Sequence, residues 1–67
     1  MSEDVKSRYR ISISYGALSA SFTRDMITIL EAGELGLKMS KLLFEIEETK
    51  DVVISLEELA RYKEPLK

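Results

Sequence analysis

"YRISISYGALSASFTRD", residues 9–25, decides how this chain folds, because its first half carries one periodicity and its second half carries two. From Lys6 onward the residues alternate: Tyr9, Ile11, Ile13 and Tyr15 fall on one side, and Lys6, Arg8, Arg10, Ser12 and Ser14 on the other. Successive side chains of a strand point to opposite faces, so this pattern predicts a strand with one apolar and one polar face. Gly16-Ala17 then suits a two-residue turn with glycine first, after which Leu18, Ala20 and Phe22 would continue the alternation as the second strand of a hairpin. The competing pattern is helical: Leu18, Phe22, Met26, Ile29 and Leu30 lie four, four, three and one apart, and "ALSAS" holds no β-branched or aromatic residue. Five positions on the helical stripe against three on the strand favour strand, short turn, helix, with the hairpin as the alternative.

Working outward, Gly33 after "ILEA" is the natural end of that first helix, and "GELG" (Gly33 to Gly36) a short linker between two helices packed side by side. A second amphipathic helix is predicted to about Lys50, with Leu35, Met39, Leu42, Leu43 and Ile46 on its apolar stripe and a Lys41–Glu45 pair one turn apart. "DVVIS" (Asp51 to Ser55) reads as a short strand. Ser55 to Glu58 has the S-x-x-E form of a capping box, which would start a last short helix through Leu59 and Tyr62 that ends at Pro65. Residues 1–6 form a loose tail and residues 64–67 a loose end. The expected fold class is therefore α+β in one domain over residues 1–67: an N-terminal strand, two amphipathic helices, and a short C-terminal strand and helix.

Composition narrows the chemistry. The chain has 67 residues, near the lower limit at which one core can stabilise a fold unaided, and is 45% hydrophobic and 33% charged, which is globular. It holds no cysteine and no histidine, so disulfides, thiolate metal sites and the commonest general base are excluded. The acids Glu45, Glu47, Glu48 and Asp51 read as a solvated helix face rather than a metal or acid/base site. We therefore expect a non-enzyme without cofactor, metal or small-molecule substrate. No run approaches a membrane span and the first fifteen positions do not form a signal-peptide core, so a cytoplasmic chain is expected. Asparagine, glutamine and cysteine are all absent, a tendency of heat-adapted proteins. The net charge of −2 is too slight to imply nucleic acid by bulk charge.

Two resemblances suggest function. Strand, helix, glycine turn, helix is the element order of ribbon-helix-helix DNA-binding proteins, and "GLKMSKLL" (Gly36 to Leu43) resembles that family's turn and second-helix entry. The likeness implies that Arg8, Arg10 and Ser12 read bases and that Lys38 and Lys41 complete the DNA-facing set. "KMSK" also resembles a nucleotide-binding signature of tRNA synthetases, which we read as coincidence without that large fold. "ISISYGALSASFTRDMITIL" (Ile11 to Leu30) resembles the strand-to-helix passage of the small dimerisation subunits of the KEOPS tRNA-modification complex, with Leu18, Ala20 and Phe22 at the helix opening. "RDMITIL" (Arg24 to Leu30) resembles the helix of that complex's smallest subunit. This likeness implies a stabilising accessory subunit. The reading preferred over DNA binding is a non-catalytic subunit that forms a homodimer or heterodimer through the edge of its first strand. Tyr9, Ile11, Ile13, Tyr15, Phe22 and Met26 are the expected interface.

Overall fold

A computed structural model of the chain describes residues 5–62. Its elements, in chain order, are strand β1 (Lys6–Tyr15), strand β2 (Leu18–Ile27), helix α1 (Ile29–Phe44) and strand β3 (Val53–Tyr62). The strands form one antiparallel sheet in the order β2-β1-β3, and α1 lies on one face of it. The α+β expectation holds only in outline, since one helix stands where two, followed by a short strand and a last helix, were expected.

The hairpin alternative is the one realised. Gly16 takes φ +61°, the left-handed value that a two-residue turn with glycine first requires, and Tyr15 pairs directly with Leu18. The helical stripe misled because Leu18, Phe22 and Met26 are spaced by four, an even number, which also keeps residues on one face of a regular strand. Pairing then decides: Ala20 meets Ile13 and Phe22 meets Ile11 across the ladder, and both pack against the core. A helix at Leu18 would leave that side of β1 without hydrogen-bond partners.

The helix starts only at Ile29, after the whole of β2, for a reason written in "TILE". Thr28 accepts from the Glu31 amide at 3.2 Å, and the Glu31 carboxylate accepts from the Thr28 amide at 2.9 Å, a reciprocal capping box. Gly33 and Gly36, expected as a linker, both lie inside α1. Gly36 is required by contact, not by conformation: a Cβ there would sit 3.0 Å from Ile54 Cγ2 and 3.3 Å from Ile11 Cγ2. With Ala32 and Ser40 it makes a stripe of small buried residues that lets the helix backbone approach the sheet. The buried Ser40 hydroxyl is satisfied by donating to the Gly36 carbonyl at 2.7 Å. The helix stops at Phe44, with Glu45 as a left-handed C-cap, rather than running to Lys50.

β3 replaces the expected short strand and last helix. Ile54 and Leu56 face Ile13 and Ile11, and Ser55 and Glu57 face Ser12 and Arg10, so "SLEE" alternates along a ladder instead of capping a helix. Pairing with β1 wins over the local capping signal because it buries Ile54 and Leu56 against the core. The acids expected on a helix face fall elsewhere: Glu45 caps α1, and Glu47, Glu48 and Asp51 lie in the connection to β3. The expected tail begins ordered structure at Lys6, already in β1, whereas residues 1–4, Pro65 and the loose end at 64–67 lie outside the described residues.

The core is Tyr9, Ile11, Ile13 and Ala32, with Phe22, Leu35, Met39, Ile54 and Leu56 among the half-buried residues around it. Opposite Arg8 both flanking strands slip register. On β2 the irregularity falls at Asp25 and Met26, with Met26 at φ +59°, and on β3 it falls at Leu59. Bulges of this kind bend and twist a strand locally.

The two glycines of α1 should separate in mutagenesis. Nothing lies within 4 Å of a Cβ at Gly33, so Gly33→Ala should stabilise by about 1 kcal/mol through helix propensity alone. Gly36→Val should destabilise by about 1–3 kcal/mol through overpacking against Ile11 and Ile54. Urea unfolding followed by circular dichroism measures both, and a neutral Gly36→Val would contradict the close approach.

Candidate functional site

The sheet divides the molecule into a helix-bearing side and an open side. On the open side β1 presents Arg8, Arg10, Ser12 and Ser14, flanked by Thr23, Ser21 and Ser19 from β2 and by Glu57, Ser55 and Val53 from β3. A shallow depression of about 520 Å³ lies over Ser12, Ser14, Ser19, Ser21, Val53 and Ser55. Its lining includes no ionisable side chain, so its hydroxyls can exchange hydrogen bonds but have no base to activate them. Among the described residues no group of three or more acidic, histidine or cysteine side chains could hold a metal ion.

The arginines of the open side are engaged. Arg10 Nη1 donates to Glu57 Oε1 at 2.8 Å, and Arg8 Nη2 donates to Asp25 Oδ2 at 3.3 Å. Lys38 and Lys41, the other half of the DNA-facing set, belong to α1 on the far side of the sheet, so the set is split by a layer of backbone. At the same end of β1 as Arg8, Lys6 approaches Glu31 at 3.9 Å.

The expected interface residues scatter as well. Tyr9, Ile11 and Ile13 are buried in the chain's own core, and β1 is hydrogen-bonded on both sides, so the edge expected to be unpaired does not exist. Tyr15 stacks on Phe44 with ring centroids 5.9 Å apart, which fixes the end of α1 beside the hairpin turn. Phe22 is half-buried beneath the Arg24 guanidinium, 5.7 Å from the ring centroid, and Met26 is exposed at its bulge.

What the fold leaves unpaired, among the described residues, are the outer edges of β2 and β3. A two-residue turn closes on a hydrogen-bonded pair, here Tyr15 and Leu18, and hydrogen-bonded and non-hydrogen-bonded pairs then alternate. The amides and carbonyls of Ser19, Ser21 and Thr23 consequently point away from β1. From Leu18 to Thr23 this edge carries no charge, no proline and no bulge. β3 is defended over its second half by Glu57, Glu58, Arg61 and the bulge at Leu59, the devices by which edge strands resist pairing. Sequence reasoning missed the β2 edge because its signal, the closing pair of the turn, has meaning only once the hairpin is chosen. On the helix-bearing side α1 leans mainly on β1, leaving Leu18 on β2 at 54% exposure and Leu42 and Leu43 exposed on the last turn of the helix.

The ion pairs set a pH dependence. Hydrogen bonding from the Tyr62 hydroxyl, and then from Arg8, holds Asp25 below its ordinary value of 3.8. The Thr28 amide and then the charge of Lys6 hold Glu31 below 4.5, and Arg61 followed by Ser7 does the same for Glu58. Each carboxylate has a lower pKa folded than unfolded, so its contribution is present above the ordinary values and is lost as pH falls through the depressed folded ones. The thermal midpoint should therefore be flat from about pH 7 to about pH 5 and fall below about pH 4. Differential scanning calorimetry across that range checks it, with Glu31→Gln expected to flatten the acid limb.

No protein-family model, no curated protein and no solved structure matches the chain.

Proposed function

We propose that this chain is a non-catalytic, cytoplasmic protein-binding subunit that takes a strand of another chain onto its sheet. The observation that supports this best is the uncharged, unbulged outer edge of β2 from Leu18 to Thr23, beside exposed Leu18. Strand addition supplies affinity through main-chain hydrogen bonds and specificity through alternate side chains. The docking edge thus moves from the first strand to the second.

The likeness to KEOPS accessory subunits suggests one assembly in which such a subunit could serve, although the stretch carrying it forms a hairpin here and not a strand-to-helix passage. The DNA-binding reading took its element order from strand, helix, turn, helix, whereas the chain has one helix and Arg8 and Arg10 are engaged by Asp25 and Glu57, so no geometry favours it. Among the described residues no helix is long and apolar enough to cross a membrane.

Site-specific photo-cross-linking in the native host tests the proposal. A photoreactive residue at Thr23, on the edge, should capture a protein chain in good yield, whereas one at Glu34 on α1 should capture little. Equal labelling at both positions, or none at Thr23, overturns it.

A further inference from the structure

We infer that the β2 edge binds a second copy of this chain, antiparallel to itself about a two-fold axis at Ala20; this rests on the strand-addition reading above and names its partner. The stretch "LSASF" (Leu18 to Phe22) reads apolar, Ser, Ala, Ser, apolar from either end. Directly opposed residues of an antiparallel pair share a face, and hydrogen-bonded pairs can form only between residues whose backbone groups point outward. Centring the pairing on Ala20 meets both conditions. Ser19 faces the partner's Ser21 as a hydrogen-bonded pair on the open side, and Leu18 faces the partner's Phe22 on the helix-bearing side. Ala20 meets its own copy in a non-hydrogen-bonded pair, where side chains come closest and a methyl group fits. A centre shifted by half a residue would oppose Leu18 to Thr23 across faces, which the pleat forbids.

Both ends of the pairing are fixed by the fold. The turn at Gly16-Ala17 stops it on one side, and the bulge at Asp25 and Met26 stops it on the other. The product is a six-stranded sheet, β3-β1-β2 continued by β2-β1-β3 of the second copy. Its outer edges are the charged, bulged β3 strands, so the assembly closes as a dimer and does not grow. Leu42 and Leu43, exposed on α1, belong to the same side of the sheet as the Leu18–Phe22 contacts.

The chain has no cysteine, so single-cysteine variants report register cleanly. Purified Ala20→Cys should oxidise to a disulfide-linked dimer, because Cα atoms at a non-hydrogen-bonded pair fall within disulfide reach, while Ser55→Cys on β3 should not. Sedimentation of the unmodified chain should show a dimer. Ser21→Pro should raise its dissociation constant at least about tenfold with an unchanged far-ultraviolet circular dichroism spectrum, since the lost amide points away from β1. Equal dimer yields from Ala20→Cys and Ser55→Cys overturn the register. A monomer at every concentration overturns self-association, and capture of a different chain at Thr23 would then leave the strand-addition reading standing. A Ser21→Pro variant that unfolds is replaced by Ser19→Pro, whose amide also points outward.

Discussion

The helix of this protein sits where it does because its backbone can lie against Ile11 and Ile54 at Gly36. Ala32 and Ser40, one turn to either side, keep the contact surface equally small. A sheet of three strands under one helix has a single thin core, so any side chain that lifts the helix uncovers Ile11 and Ile13 together. That explains why Gly36 persists inside a sixteen-residue helix despite a cost of about 1 kcal/mol relative to alanine, whereas Gly33, with open space around it, owes nothing to the contact. The capping box at Thr28 and Glu31 offsets part of that cost by satisfying amides at the helix start.

With the helix fixed over β1, the first strand becomes the centre of the molecule. Its helix-side residues fill the core, and its open-side arginines reach in opposite directions, Arg8 to Asp25 on β2 and Arg10 to Glu57 on β3. These exposed pairs add little stability in water, but they occupy the charges that would otherwise make the open side a basic surface. The buried Ser7 hydroxyl is treated similarly, donating at 2.7 Å to Glu58, whose other bonds come from Arg61. The charged residues on the polar face of β1 are thus tied to neighbouring carboxylates instead of held ready for a ligand.

The first strand, its two faces and the separation of apolar from polar residues were legible in the sequence, because a period of two is a local property. The rest was hidden by three degeneracies. Spacings of four suit either a helix or a strand, so Leu18, Phe22 and Met26 could not choose between them. Glycine can mark the end of a helix or a close approach within one, and only Ile54, eighteen residues after Gly36, tells which. "TILE" and "SLEE" carry the same capping pattern, yet one caps and the other runs along a ladder whose partner lies far back in the chain. The candidate interface failed for a related reason: whether β1 is an edge depends on β3, and the Arg10–Glu57 contact that marks its pairing spans 47 residues.

The edge of β2 also shows how far backbone pairing alone can carry an association. Its outward amides and carbonyls are already hydrated, so exchanging water for a partner strand gains only about 0.5–1.5 kcal/mol per hydrogen bond. A short run of such bonds barely offsets the lost freedom of two separate bodies. Affinity must therefore come from the side chains beside the edge, and there Leu18 and Phe22 project toward the helix-bearing side while serines line the other. Association through this edge draws its strength from one face of the sheet and its register from the backbone, so trimming Leu18 weakens it without changing what pairs with what.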